Sequence, residues 1–108
     1  LRRSMAEIRP SVAANLHAIH EDRLPAESYR MLARTIEEAV ATIIAQCKLP
    51  PAADAQLHLI VAELMAGAQL MSSTADSGEA RSGAIRVVEA LNNYAAYFDD
   101  PDFRSLEH

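Results

Sequence analysis

The chain contains no tryptophan, one cysteine and three glycines among its 108 residues, and each shortage excludes something. A single thiol, Cys47, cannot build an internal disulfide framework, so stability must come from a packed core. Three glycines and five prolines are too few for the tight turns of an antiparallel sheet. No stretch alternates apolar and polar residues as a half-buried strand does. Three tyrosines and two phenylalanines offer little for stacking on bases. The 10 basic residues are scattered among 15 acidic ones, for a net charge of −5, and form no basic stripe in the sequence. No apolar run approaches the ~20 residues needed to cross a bilayer. Neither nucleic-acid binding nor a membrane span is expected.

What is abundant points one way. Half the residues are hydrophobic, and alanine, the best helix former, makes up about a fifth of the chain. The length suits one domain with one core. Leu106-Glu107-His108 reads as the start of a cloning scar and histidine tag, which leaves residues 1–105 as a single domain. Leu1 is not an initiator methionine, and a removed secretory signal upstream of it fits that start.

Apolar periodicity predicts four helices. Residues 2–20 place Met5, Ile8, Val12, Leu16 and Ile19 on one stripe. Pro10 either kinks that helix or marks its true start. In the second, Pro25 suits the first helical position and Glu27 suits the first turn, where the dipole favours negative charge. Tyr29, Leu32, Ile36, Val40, Ile43 and Cys47 follow at spacings of three and four. Pro51 opens the third, with Leu57, Ile60, Val61, Leu64, Ala68 and Met71 inward. Gly67 costs it about 1 kcal/mol relative to alanine, which close approach of a neighbouring helix explains. Residues 72–79 read as a polar linker. The fourth helix turns Ala84, Val88, Leu91, Ala95 and Phe98 inward, and Asp99-Asp100-Pro101-Asp102 reads as a helix stop and solvated tail. Helices of about 30 Å joined by short loops pack as an antiparallel up-down-up-down four-helix bundle, an all-α fold.

That order fixes which side chains share an end. Met5, Cys47, His58, Tyr97 and Phe98 fall at one end, and His17, His20, Met31 and Met71 at the other. A thiolate and an imidazole suit a soft ion, copper or zinc, so Cys47 and His58, with Met5 as a third ligand, are candidate metal ligands. Against this, Cys47 lies on the core stripe like any small buried thiol, and His58 sits at the edge of its stripe. His17, His20, Met31 and Met71 are a second candidate copper set, although His17 points away from the apolar stripe. A Cys/His hydrolase lacks an orienting Asn or Asp. The acidic run lacks the glycine and ligand spacing of a calcium loop.

The segment Cys47-Lys48-Leu49-Pro50-Pro51-Ala52-Ala53-Asp54-Ala55-Gln56-Leu57-His58, with Tyr97-Phe98-Asp99-Asp100-Pro101, resembles a group of small, exported, uncharacterised proteobacterial proteins. By architecture the chain is also similar to the cytochrome c′ and cytochrome b562 bundles. It departs from the first in lacking Cys-x-x-Cys-His, and from the second in lacking a fourth-helix histidine. The resemblance implies a periplasmic helical bundle. The function expected is thus a non-enzymatic periplasmic binding or interaction module with a weak soft-metal site. The alternative is a noncovalent haem or electron-transfer protein ligated by Met5 and His58.

Overall fold

The computed structural model describes residues 1–46, 48–73 and 76–106; Cys47 lies outside them. Four helices follow in order: α1 Arg2–His20, α2 Ala26–Gln46, α3 Pro51–Ser73 and α4 Ser77–Tyr97. No strand occurs among the described residues.

Helix α1 is continuous from Arg2, with Pro10 inside it. Pro10 is exposed, so the carbonyl deprived of its helical donor lies at a solvated face, where the loss is cheapest. The helix ends as its backbone carbonyls find donors in the loop. Asp22 N–H bonds to the Ile19 carbonyl (3.1 Å) and Arg23 N–H to that of Ala18 (2.8 Å). Asp22 takes the left-handed conformation, φ 55°, which such a terminus needs and which glycine usually supplies.

The two proline-led helices begin differently. The Pro25 carbonyl accepts from Tyr29 N–H at 3.1 Å, so Pro25 caps α2 from outside rather than occupying its first helical position. In α3 the Pro50 carbonyl accepts from Asp54 N–H at 2.9 Å, and Pro51 does take the first position, where its missing N–H is not needed. Within the stretch 72–79, residues 72–73 and 77–79 are helical, contrary to their reading as a linker. Ser72 and Ser73 end α3, and the Asp76 side chain caps α4 by accepting from the N–H groups of Gly78 (2.8 Å) and Glu79 (3.3 Å).

Contacts across the helices establish the antiparallel order. Arg2 at the start of α1 donates to the Asp99 carbonyl just beyond α4. Arg81, near the start of α4, donates to the carbonyls of Ile19 (2.9 Å) and His20 (3.3 Å) at the end of α1. Glu63 of α3 meets Arg86 of α4, and Gly67 meets Gly83. Helix α3 packs on both α2 and α4, and α1 on α2 and α4, while α1 and α3 lie diagonally across the bundle. The body measures 40 × 24 × 18 Å.

The core is formed from the expected stripes. Ile36, Val40, Ile43, Leu57, Leu64, Val88 and Leu91 are all buried, with Met5, Ile8, Val12 and Ile19 from α1. Helix α4 buries a wider face than its stripe implied, adding Ala80, Val87, Ala90 and Tyr94. Gly67 and Gly83 face each other so closely that a Cβ on Gly67 would lie 2.5 Å from the Gly83 oxygen. The helix-breaking residue is thus where two helix backbones touch.

The chain beyond α4 is not a solvated tail. Residues 98–106 fold back as a strap along α1 and α4. Phe103 is buried and meets Tyr94 edge-on at 4.8 Å, while Phe98 stacks on the same ring at 5.2 Å. Tyr94 donates its hydroxyl to Asp100 (2.7 Å), and Arg9 donates from Nε to the Arg104 carbonyl (2.6 Å). Asn92 accepts from Leu106 N–H (2.6 Å) and donates to the Leu106 carbonyl (2.9 Å). Leu106, the first of the three residues set aside above, is itself buried.

Candidate functional site

The candidate metal ligands occupy unlike environments. Met5 is fully buried in the core. His58 lies on α3 with 74% of its side chain exposed, and its nearest partner is Asp54, one turn earlier, at 3.7 Å. That spacing is an ion-pair distance too long for a hydrogen bond. Cys47, outside the described residues, follows the last turn of α2. Among the described residues no group of three or more His, Cys, Asp or Glu side chains is arranged to hold a metal ion. At the opposite end, His17 is in solvent and pairs with Glu21 at 2.9 Å. Met31 is also exposed, while Met71 is buried in the core.

A different feature marks the end of the bundle that carries His58. Helix α3 has 23 residues, of which only Asp54 and Glu63 are formally charged. A helix on the outside of a small bundle ordinarily carries a charged outer face. Here Ala52, Ala55, Leu59 and Ala62 are exposed instead, with His58 among them. The neutral stretch is longer than the helix: residues 39–62 hold just two formal charges, Lys48 and Asp54. Inward stripes draw attention to the core, whereas this signal lies in what the outward positions lack.

Three large apolar side chains stand out on this end of the bundle: Ile44 at 69% exposed, Leu59 at 63% and Tyr97 at 50%. They border two grooves that run along either side of α3. Between α3 and α4, a groove of about 350 Å³ is lined by Leu59, Ile60, Glu63, Asn93, Ala96 and Tyr97, with Gln56. Between α2 and α3, a smaller one of about 250 Å³ is lined by Ile43, Ile44, Asp54, Leu57, His58 and Val61. Each groove includes one carboxylate and neither includes a lysine or arginine.

The carboxylate of the first groove is held in place. Arg86 grips Glu63 with two hydrogen bonds, at 2.8 and 3.2 Å. That bond and the guanidinium charge hold the Glu63 carboxyl below its ordinary range, and the pair raises Arg86 in turn. With Glu63 paired to Arg86 and Asp54 the one carboxylate of the other groove, both are apolar channels of low charge around an apolar ridge.

Compared with known protein families, with curated proteins and with solved structures, the chain matches none. Function must be read from this surface. No helix among the described residues is long and apolar enough to cross a membrane.

Proposed function

We propose that this bundle is a non-enzymatic interaction module that docks a basic amphipathic helix of a partner protein on the outer face of α3. The observation that carries this is the exposure of Ile44, Leu59 and Tyr97 around a helix whose outer face bears almost no charge. Exposed apolar area of this kind, rimmed by polar groups, marks binding surfaces in soluble proteins. A ridge flanked by two grooves accepts a helix that presents apolar residues at spacings of three and four.

Charge selects the occupant. The chain carries −5; of the two groove carboxylates Glu63 is paired with Arg86 and Asp54 faces His58, so it is the net charge of the whole chain that attracts a basic helix. A second copy, equally acidic, is repelled at long range. The same reading sets the module in the periplasm, supported by the resemblance of residues 47–58 and 97–101 to exported proteins; cell fractionation of the native product tests that setting.

The probe is a labelled 18-residue helical peptide with leucines on one face and lysines on the other, titrated by fluorescence anisotropy. Burying one leucine is worth about 1.5–3 kcal/mol, so Leu59→Glu should weaken binding at least about tenfold. Tyr97→Glu should act in the same direction. Met31→Glu, which alters an exposed apolar residue at the other end of the bundle, should leave binding unchanged. A peptide with glutamates replacing the lysines should not bind. Equal affinity of wild type and Leu59→Glu would sink the reading, as would sedimentation showing that a second copy already covers the face.

A further inference from the structure

A further concave surface lies away from α3, where the strap crosses the start of α1. A cleft of about 420 Å³ opens there, lined by Arg2, Arg3, Ala6, Arg9, Pro10, Asp100, Asp102 and Phe103. Its three arginines all come from the first nine residues, and α1 sets them along one wall. Arg2, Ala6 and Arg9 are four and three residues apart, so they lie on one face of α1 over two turns. The small side chain of Ala6 leaves a recess between the two guanidinium groups.

Those groups are already oriented. Arg2 donates one N–H to the Asp99 carbonyl, and Arg9 donates from Nε to the Arg104 carbonyl at 2.6 Å. A guanidinium has five N–H donors in a rigid fork, so each keeps donors to spare while one bond fixes its plane. Arg3 is exposed and makes no hydrogen bond or ion pair among the described residues. Of the two carboxylates, Asp100 is engaged by the Tyr94 hydroxyl at 2.7 Å. Among the lining side chains three guanidinium groups face two carboxylates, with Asp99, whose carbonyl holds Arg2, beside them. Ala6, Pro10 and Phe103 supply an apolar wall.

We propose that this cleft binds a small organic anion, a phosphate or carboxylate group carried on a short apolar stem. The anionic group takes the spare donors of Arg2, Arg3 and Arg9, as planar forks take such oxygens in pairs. The stem lies against Pro10 and Phe103. Because the strap forms one wall, a bound anion also holds the strap in place.

The test is calorimetric titration of the full chain with phenyl phosphate, with benzyl alcohol as the neutral counterpart and inorganic phosphate as the stemless one. Phenyl phosphate should bind tightest, inorganic phosphate more weakly, and benzyl alcohol not at all. Arg3→Gln removes a guanidinium that supports nothing in the fold, and should weaken phenyl phosphate about tenfold without changing thermal stability. Ala6→Leu fills the recess from an exposed helical position and should abolish binding while the helix remains. Arg34→Gln, an exposed arginine on α2, should have no effect. Rising salt should weaken the anion, since the cleft is open to solvent. Unchanged affinity in both Arg3→Gln and Ala6→Leu overturns the proposal, and so does benzyl alcohol binding as tightly as phenyl phosphate. The docking face on α3 is untouched by these variants, so the two readings stand or fall separately.

Discussion

Replacing Gly67 by alanine sets two effects of opposite sign against each other. By helix propensity alone the change should stabilise α3, by about 1 kcal/mol. The structure predicts the reverse. The new Cβ would lie 2.5 Å from the Gly83 carbonyl oxygen and 2.6 Å from Val87 Cγ2. The first obstacle is backbone, so no rotamer change relieves it. Restoring an ordinary contact requires α3 and α4 to separate by about 1 Å at their crossing, which forfeits a quarter to half of the local dispersion attraction. Overpacking of this kind costs about 1–3 kcal/mol, and two clashes against stiff neighbours place this site at the upper end. The net loss should be about 2 kcal/mol, a fall in Tm of roughly 10 °C for a domain this size. Gly83→Ala should behave similarly, because its Cβ would lie 2.6 Å from the Gly67 oxygen and 2.8 Å from Leu70 Cβ. The double variant should lose less than the sum, since one separation relieves both clashes. Ser82→Ala, an exposed position on the same helix, should gain a few tenths of a kcal/mol. Urea and thermal unfolding followed by circular dichroism at 222 nm measure all four. A Gly67→Ala protein as stable as wild type, or more so, would refute the close crossing.

Four further outcomes are expected. Leu64→Ala and Ile43→Ala, both at buried core positions, should each lose about 2–5 kcal/mol in urea titration. Tyr29 and Tyr94 should respond differently to loss of their hydroxyls. The Tyr29 hydroxyl is buried with no hydrogen-bond partner among the described residues, and burial, with Asp22 nearby, pushes its ionisation upward, so Tyr29→Phe should be neutral or stabilising by up to about 1 kcal/mol. Tyr94→Phe removes the bond to Asp100 and should cost about 1–2 kcal/mol, with faster amide exchange in residues 98–106. Glu63 is held below its ordinary value of 4.5 by Arg86. Its contribution is therefore present above that pH and lost as pH falls through the lower folded value, so the Tm gap between wild type and Glu63→Gln should close with acidification. Finally, if Cys47 and His58 share a copper or zinc ion, Cys47→Ser and His58→Ala should each weaken binding at least about tenfold in titrations of untagged protein, and acidification should weaken it further. Equal affinity in all three proteins removes that site.

The fold was legible because helix formation and burial are periodic in sequence. Met5, Ile8, Val12 and Ile19, or Tyr29, Leu32, Ile36, Val40 and Ile43, declare a face before any partner is known, and Pro51 declares a start. The reason for Gly67 was legible too, since only close approach offsets its cost. The sequence could not show that Gly83 stands opposite, because that pairing depends on the crossing of α3 and α4. The strap failed to read for a related reason. Asp99-Asp100-Pro101-Asp102 looks solvated when counted by charge, yet Asp100 finds Tyr94, the Asp99 carbonyl finds Arg2, and Phe103 finds the core.

The candidate sites divide along the same line. Sequence alone determined that α3 has only two formal charges along 23 residues, but not which of its apolar residues face outward; that depends on which sides α2 and α4 cover. Tertiary structure alone put Arg2, Arg3 and Arg9 across a cleft from Phe103, nearly the whole chain away. It also decided that Met5 is sealed in the core while His58 stands in solvent. Local pattern specifies an element's buried face because burial is averaged along that element, whereas a site is made by side chains from several elements meeting at distances that only their packing sets.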